Sequence, residues 1–460
     1  MNRHINVHDV IDSARFNHFF LFVFLLLHGS LVLAGYAVGV YGVSLTSMRA
    51  ELLFQDAEIG FLASTNLWGM MIGALVFGSI SDRIGRKNML LCALGMTFIF
   101  NGLIFFNSYF VVFSALRFMA GVGVGAITPL VVSLLSEYSP RQNRTFLLAL
   151  LMTGIPTGQL IAAMAGLTFL TNQGWRFLYL LSFLGLGLIP LVLFFLPESM
   201  QFYLAKEQQF KMHHFLRKVS PTKNFTHHDI YQTSAENRQK MSFTELTDGY
   251  KASKMPLEVT KADSKDNVVA LYPVNLLTQK YVRNTFVLCV AFFCNLYVFY
   301  GVSTWLPGLM MERGHAVLSG VTFLAVFLVG NISVAAVVGR FADTFGTKKI
   351  MSLFYLCLVL MIVFLSMDVE GVWVFIFVFL VGGSVGVAQN MTVAITPQFF
   401  PIAFRGTIIG LCSASSRVGS AIAPIVVGIL MQQQMSVKAI FLTFTIPAVV
   451  GMVAILQTRH

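Results

Sequence analysis

The sequence predicts an all-α polytopic membrane protein, with twelve transmembrane helices in two six-helix halves around a central cavity. Three observations predict it. Apolar stretches long enough to cross a bilayer recur along the chain. One polar, glycine-bounded loop occurs twice at matching places. Basic residues crowd the loops of one side. The 460 residues are 56% hydrophobic and only 11% charged, with a mean hydropathy of +0.76. A water-soluble domain carries about 25% charged residues, so most of this surface is built for lipid.

About 20 apolar residues in a helix cross the hydrocarbon core. Twelve such stretches are legible, roughly at 17–45, 59–80, 88–108, 110–137, 145–170, 175–197, 285–311, 317–341, 350–367, 372–396, 405–431 and 438–457. Residues 1–16 are polar and contain Asp9 and Asp12, unlike a cleaved signal peptide, and read as an N-terminal tail. The two halves then cover 17–197 and 285–457. Between them, 198–284 holds 13 of the 31 Lys and Arg and reads as a linker. Thr222 to Asn267 is expected to be mobile or partly helical, and His227-His228 to be solvated loop histidines in preference to a metal site.

Of the 31 Lys and Arg, 25 fall in the tails and in the loops of one side. Arg49, Arg313 and Lys438 fall on the other, and Arg117, Arg176 and Arg417 within or beside helices. The positive-inside rule therefore places both termini and the linker in the cytoplasm. The net charge of +11 reflects this topology and contact with anionic lipid, and implies no nucleic-acid partner. The five cysteines (Cys92, Cys289, Cys294, Cys357 and Cys412) lie in apolar runs without metal-ligand spacing, so they are expected to be reduced packing residues. No phosphate loop, HExxH, GxSxG or Cys/His cluster is present, which argues against an enzyme.

The repeated loop is Gly78-Ser79-Ile80-Ser81-Asp82-Arg83-Ile84-Gly85-Arg86-Lys87. Gly78 and Gly85 are expected to permit close approach and a sharp turn, and Asp82 to pair with a nearby Arg or Lys. A weaker copy, Gly339-Arg340-Phe341-Ala342-Asp343-Thr344-Phe345-Gly346-Thr347-Lys348-Lys349, stands 261 residues further on. Two copies at matching places mean an internal duplication, and six plus six helices imply parallel halves that rock about a central site. This loop resembles the loop 2–3 motif of the major facilitator superfamily of transporters, and its copy resembles the family's second-half echo. The resemblance runs from about Phe16 to the end of the chain. It implies a multi-pass transporter of the cell inner membrane that works by alternating access.

An arginine inside an apolar helix is expensive and normally faces a cavity or a partner. Arg117 opens Arg117-Phe118-Met119-Ala120-Gly121-Val122-Gly123-Val124-Gly125, which resembles the family's helix 4 motif. It would be the natural, permanently charged partner of a carboxylate substrate; the alternative is an arginine that only braces the fold. Glu137 resembles the helix 4 carboxylate that joins the Asp82–Arg83 charge network, where Arg86 and, in the copy, Asp343 are also placed. Such a network would lock the outward-facing state by ion pairs that break when the halves reopen; the alternative is an interfacial Glu. Gly154-Ile155-Pro156-Thr157-Gly158 is expected to kink helix 5. Trp175-Arg176 and Pro197-Glu198-Ser199 resemble the borders of helix 6. In the second half, Tyr300 and Trp305 on helix 7, Gln389 and Asn390 on helix 10, and Arg417 on helix 11 are the candidates for the cavity wall.

Trp305-Leu306-Pro307, Phe400-Pro401, Arg405-Gly406-Thr407 and Arg417-Val418-Gly419 narrow the resemblance to aromatic acid:proton symporters. That resemblance implies a small anionic aromatic substrate of benzoate or hydroxybenzoate type, protons as the coupling ion and no cofactor; a monomer is expected. The stretch from Ala34 to Gly42 also fits the family's helix 1, except that two acidic positions are Ala34 and Ala37. Positions three apart share a helix face, so the family would present two carboxylates where this chain has none. His28 is the only titratable side chain at depth in helix 1. Three accounts stand: a divergent member with other coupling, a uniporter or exporter, or an engineered inactive variant. A proton-coupled multidrug exporter is the alternative function.

Overall fold

The computed structural model describes residues 4–14, 17–140, 142–206, 208–219, 230–232, 279–367, 369–400 and 402–458. The side chains of Asp82 and Asp343 lie outside the described residues, as do His227-His228 and most of 198–284. Among the described residues the only strands are His4–Asn6 and Ile230–Gln232, a short parallel pair. Helices make up the rest of the regular structure.

The spans of the first half are His18–Leu52, Asp56–Ile84, Arg86–Leu103 and Phe110–Tyr138, followed by a helical run from Phe146 to Phe195. Those of the second are Gln279–Glu312, Val317–Phe345, Thr347–Ser366, Val372–Phe399 and Ile402–Gln432, with Val437–Thr443 and Thr445–Leu456 together forming the last. The run Phe146–Phe195 is 50 residues long. As one straight helix it would reach about 75 Å at 1.5 Å per residue, more than twice a hydrocarbon core of about 30 Å. It is not one helix. Gly174, at φ 77° and ψ 171°, breaks it. The fifth and sixth crossings therefore lie on either side of Gly174, and the twelve spans expected from the sequence are accounted for.

Local chemistry sets the ends. Asn17 caps the first span by accepting from the backbone N–H groups of Phe19 and Phe20. Leu53 ends it in the left-handed region. Glu58 reaches back to the Gln55 N–H at the start of the second.

The duplication is visible in the turns. Gly85 (φ 108°) separates spans 2 and 3, and Gly346 (φ 87°), 261 residues on, separates spans 8 and 9. A left-handed residue at each turn explains the pair of glycines. Lys87 donates to the Leu193 carbonyl at the end of span 6, and Lys348 to those of Leu456 and Thr458 at the end of span 12. Each lysine thus satisfies orphan carbonyls at a helix C-terminus. Gly78 behaves differently from expectation: a side chain there would meet open space, so no close approach requires it.

Consecutive spans alternate in direction, giving a terminal end, where span 1 begins and the 198–284 segment lies, and a far end opposite. Contacts between the halves cluster toward the far end. A side chain at Gly60 would strike the Pro424 carbonyl, one at Gly42 would lie 3.0 Å from the Ser303 carbonyl, and one at Gly308 3.4 Å from Leu45. Arg49 pairs with Glu312 at 2.9 Å, and Gln432 donates to Gln55 at 3.0 Å. The structure is closed at the far end.

Candidate functional site

A cavity lies between the halves, lined by Val38, Gly39, Tyr41 and Gly42 of span 1, Ala63, Asn66 and Leu67 of span 2, Arg117 of span 4 and Gln159 of span 5. Span 7 contributes Tyr300, Ser303 and Thr304, and span 8 contributes Leu324. Its unfilled space is about 410 Å³ counted to the mouth, but the centre of a water molecule finds only about 20 Å³ of it. The site is narrow. An aromatic ring would need the walls to part.

Arg117 is 2% exposed. Its Nε donates to the Leu62 carbonyl at 2.8 Å, and its guanidinium stacks 3.9 Å over the Tyr41 ring. Tyr41 in turn is fixed by donating its hydroxyl to the Ile59 carbonyl. The glycines after Arg117 explain how it comes so close. Side chains at Gly121 and Gly125 would strike the Asn66 and Met70 carbonyls of span 2, and one at Gly123 would strike span 3. Asn66 ties the same pair of spans by donating its Nδ2 to the Arg117 carbonyl at 3.0 Å.

Three buried polar atoms on this cavity have no partner: Arg117 Nη1, Asn66 Oδ1 and Gln159 Oε1. Asn66 and Gln159 are 2% and 3% exposed. Buried polar groups are nearly always paired, so three unpaired ones on a single cavity mark it as a place for a polar guest. Arg117 supplies a charged donor, and the two amides offer acceptors. Neither Asn66 nor Gln159 was among the residues singled out from sequence. An amide at membrane depth was the available signal.

The other candidates divide. Tyr300 is buried on the cavity wall, with Arg417 close enough to its hydroxyl to hydrogen-bond it. Trp305 is fully buried and gives its Nε1–H to the Pro424 carbonyl at 3.1 Å, so its polar handle is occupied within the second half. Gln389 and Asn390 are exposed and do not line the cavity. Amides at this depth are disfavoured against lipid, which places them toward the open terminal end. Ala34 and Ala37 are buried on the helix face that continues to Val38 and Tyr41, about one turn below the cavity wall. His28 is half-buried, stacks on Phe24 at 5.4 Å and keeps Nδ1 unpartnered.

The charge cluster at the terminal end departs from expectation in one partner. Glu137 pairs with Arg86, while Arg83 is exposed. The reason is the turn at Gly85, which points residues 83 and 86 different ways. Glu137 also accepts from Ser199 Oγ at 2.7 Å and from the Met200 N–H at 3.0 Å. Glu198 accepts from the backbone N–H groups of Lys87 at 2.8 Å and Ser199 at 2.9 Å. These contacts join spans 2–4 to the segment after span 6, so rocking of one half against the other leaves them intact. The cluster braces the first half. The ion pair between halves is at the far end, Arg49 with Glu312, and Arg49 also holds Asp56 at 2.9 Å.

A family profile described as the Major Facilitator Superfamily matches residues 27–401, with a second match over 322–460. The chain is 27% identical to the benzoate transport protein of Acinetobacter baylyi, over 99% of this chain and 93% of that one. It is 29% identical to the 4-hydroxybenzoate transporter PcaK of the same organism, over 91% and 88%. It is 25% identical to the gallate transporter of Pseudomonas putida, over 99% and 95%. Among solved structures, the inward-open xylose transporter XylE from E. coli superimposes with a TM-score of 0.68 at 15% identity, covering 95% of each chain. The nucleoside transporter NupG does so with a TM-score of 0.65 at 11% identity, covering 96% and 100%. At those identities the likeness concerns the fold.

Proposed function

The chain belongs to the major facilitator superfamily, and from that premise we propose that this transporter carries a small aromatic carboxylate across the cytoplasmic membrane by alternating access. The observation that carries the reading is Arg117: a buried, permanently charged guanidinium with one nitrogen unpartnered on the wall of a central cavity. A carboxylate would supply both the missing acceptor and the missing charge, and a charge-assisted bond of this kind is about twice as strong as a neutral one. Tyr41, Leu67, Tyr300 and Leu324 give the same cavity apolar and aromatic walls for a ring. Relatives that transport benzoate, 4-hydroxybenzoate and gallate along nearly the whole chain support the substrate class.

Basic loops put the terminal end in the cytoplasm, so closure at the far end makes this the inward-facing state. Arg417, set against the Tyr300 hydroxyl, is a second cation for the carboxylate on its way to the cytoplasm. Protons are the proposed coupling ion, acting on a monomer without a cofactor. The cavity wall itself carries no carboxylate among the described residues, so any coupling group lies elsewhere, with His28 the titratable side chain of span 1.

Uptake of labelled benzoate and 4-hydroxybenzoate into proteoliposomes, with and without an inward proton gradient, tests the proposal. Accumulation only with the gradient establishes symport. Equilibration without accumulation in this chain, and accumulation once Ala34→Asp and Ala37→Asp are introduced together, would make the alanines the reason coupling is lost. Movement of neither acid by either protein would overturn the substrate class.

A further inference from the structure

We infer that the preferred guest is a ring-hydroxylated aromatic acid, whose phenolic O–H donates to Asn66 Oδ1 or Gln159 Oε1 while its carboxylate engages Arg117. The inference rests on the aromatic-carboxylate reading and goes past it to the ring substituent. Arg117 answers only the acid group. The two amide oxygens ask for donors, and a plain benzoate has none to offer them.

The direction of the Asn66 amide is fixed by its surroundings. Its Nδ2 is committed to the Arg117 carbonyl, so Oδ1 is the atom left for the cavity, and it is buried without a partner. Gln159 comes from span 5 and lines the same cavity with an equally buried and unpartnered Oε1. No other lining side chain relieves these oxygens. Tyr41, which could donate, spends its hydroxyl on the Ile59 carbonyl.

In the unliganded site the small open volume suits a water molecule, which can donate to such an oxygen. A guest that displaces this water without replacing its hydrogen bond loses affinity, and one that replaces it does not. A site built to hydrogen-bond a substrate hydroxyl therefore rejects the analogue that lacks it. A methyl ether in place of the hydroxyl removes the donor and adds bulk, so it is rejected too.

The test is titration calorimetry on the full-length protein in detergent with benzoate, the three monohydroxybenzoates and their methyl ethers. At least one hydroxybenzoate is expected to bind about ten- to a hundredfold more tightly than benzoate, the cost of leaving a buried acceptor unsatisfied. Its methyl ether is expected to fall back to the benzoate level or below. Asn66→Leu and Gln159→Met are then titrated with benzoate and the best hydroxybenzoate. In at least one of them the preference is expected to collapse toward unity while benzoate binding persists. That ratio would not move if the amides only braced the helices. Equal affinity of the wild-type protein for benzoate and every hydroxybenzoate overturns the inference whether or not the variants fold, as does a preference unchanged in both variants. Failure of every acid to bind overturns instead the reading beneath it.

Discussion

Spans 2 and 4 of the first half and spans 8 and 10 of the second are built on one plan. Asn66 donates its Nδ2 to the Arg117 carbonyl, and Asn331 donates its own to the Gly382 carbonyl at 3.3 Å. A side chain at Gly121 would strike the Asn66 carbonyl, and one at Gly386 the Asn331 carbonyl. Each residue stands 265 positions from its counterpart. The duplication has kept the bridge and its glycine in both halves. It has not kept the arginine: where the first half has Arg117, the second has Gly382. The scaffold is symmetric, and the charge that selects the guest is carried by one half alone.

The largest expected effect comes from removing that asymmetry. Arg117→Met should lower aromatic acid transport about a hundredfold or more, since truncating one partner of a buried charge pair costs about 2–5 kcal/mol. The span 2–4 bridge uses the backbone carbonyl of residue 117, so thermal unfolding in detergent should shift much less than transport. Next come the matched glycines. Gly121→Ala and Gly386→Ala should each destabilise the protein by about 1–3 kcal/mol, as overpacked contacts do. Comparable shifts in the two halves would confirm the shared plan, and a loss confined to one would break it. The smallest effect is expected from Asn331→Leu. Loss of one amide bond should cost about 0.5–1.5 kcal/mol in unfolding and leave the affinity ratio between benzoate and the hydroxybenzoates where it was. A changed ratio would mean that the second bridge also shapes the site.

The fold was legible because lipid demands it. A run of apolar residues long enough to span a bilayer can only be a helix or part of a barrel, and the two copies of one loop gave the symmetry. Arg117 was legible because a cation in such a run has few reasons to be there. The rest of the site was hidden by the same apolarity. A helix that is apolar all round carries no periodic signal of which face looks inward, so sequence gave the depth of Gln389, Asn390 and Trp305 without their direction. Asn66 follows Ser64 and Thr65, and Gln159 follows a glycine-rich turn; among such neighbours a single amide reads as packing. Arg86 was separated from Arg83 only by the left-handed turn at Gly85, a backbone choice that a list of charges does not contain.

The contacts at the terminal end also bear on how the chain is made. Arg144 donates to Asp12 at 2.6 Å, Asn17 donates to the Val219 carbonyl at 3.2 Å, and Glu137 receives Ser199 and Met200. Every partner in that set precedes residue 220. During synthesis, domains fold as units from the N-terminus, so the first six spans can seal around Arg117 while the ribosome is still translating the linker. The later spans would then dock against a finished half-site, and the newborn protein would hold its arginine in place before Tyr300 and Ser303 arrive to complete the wall.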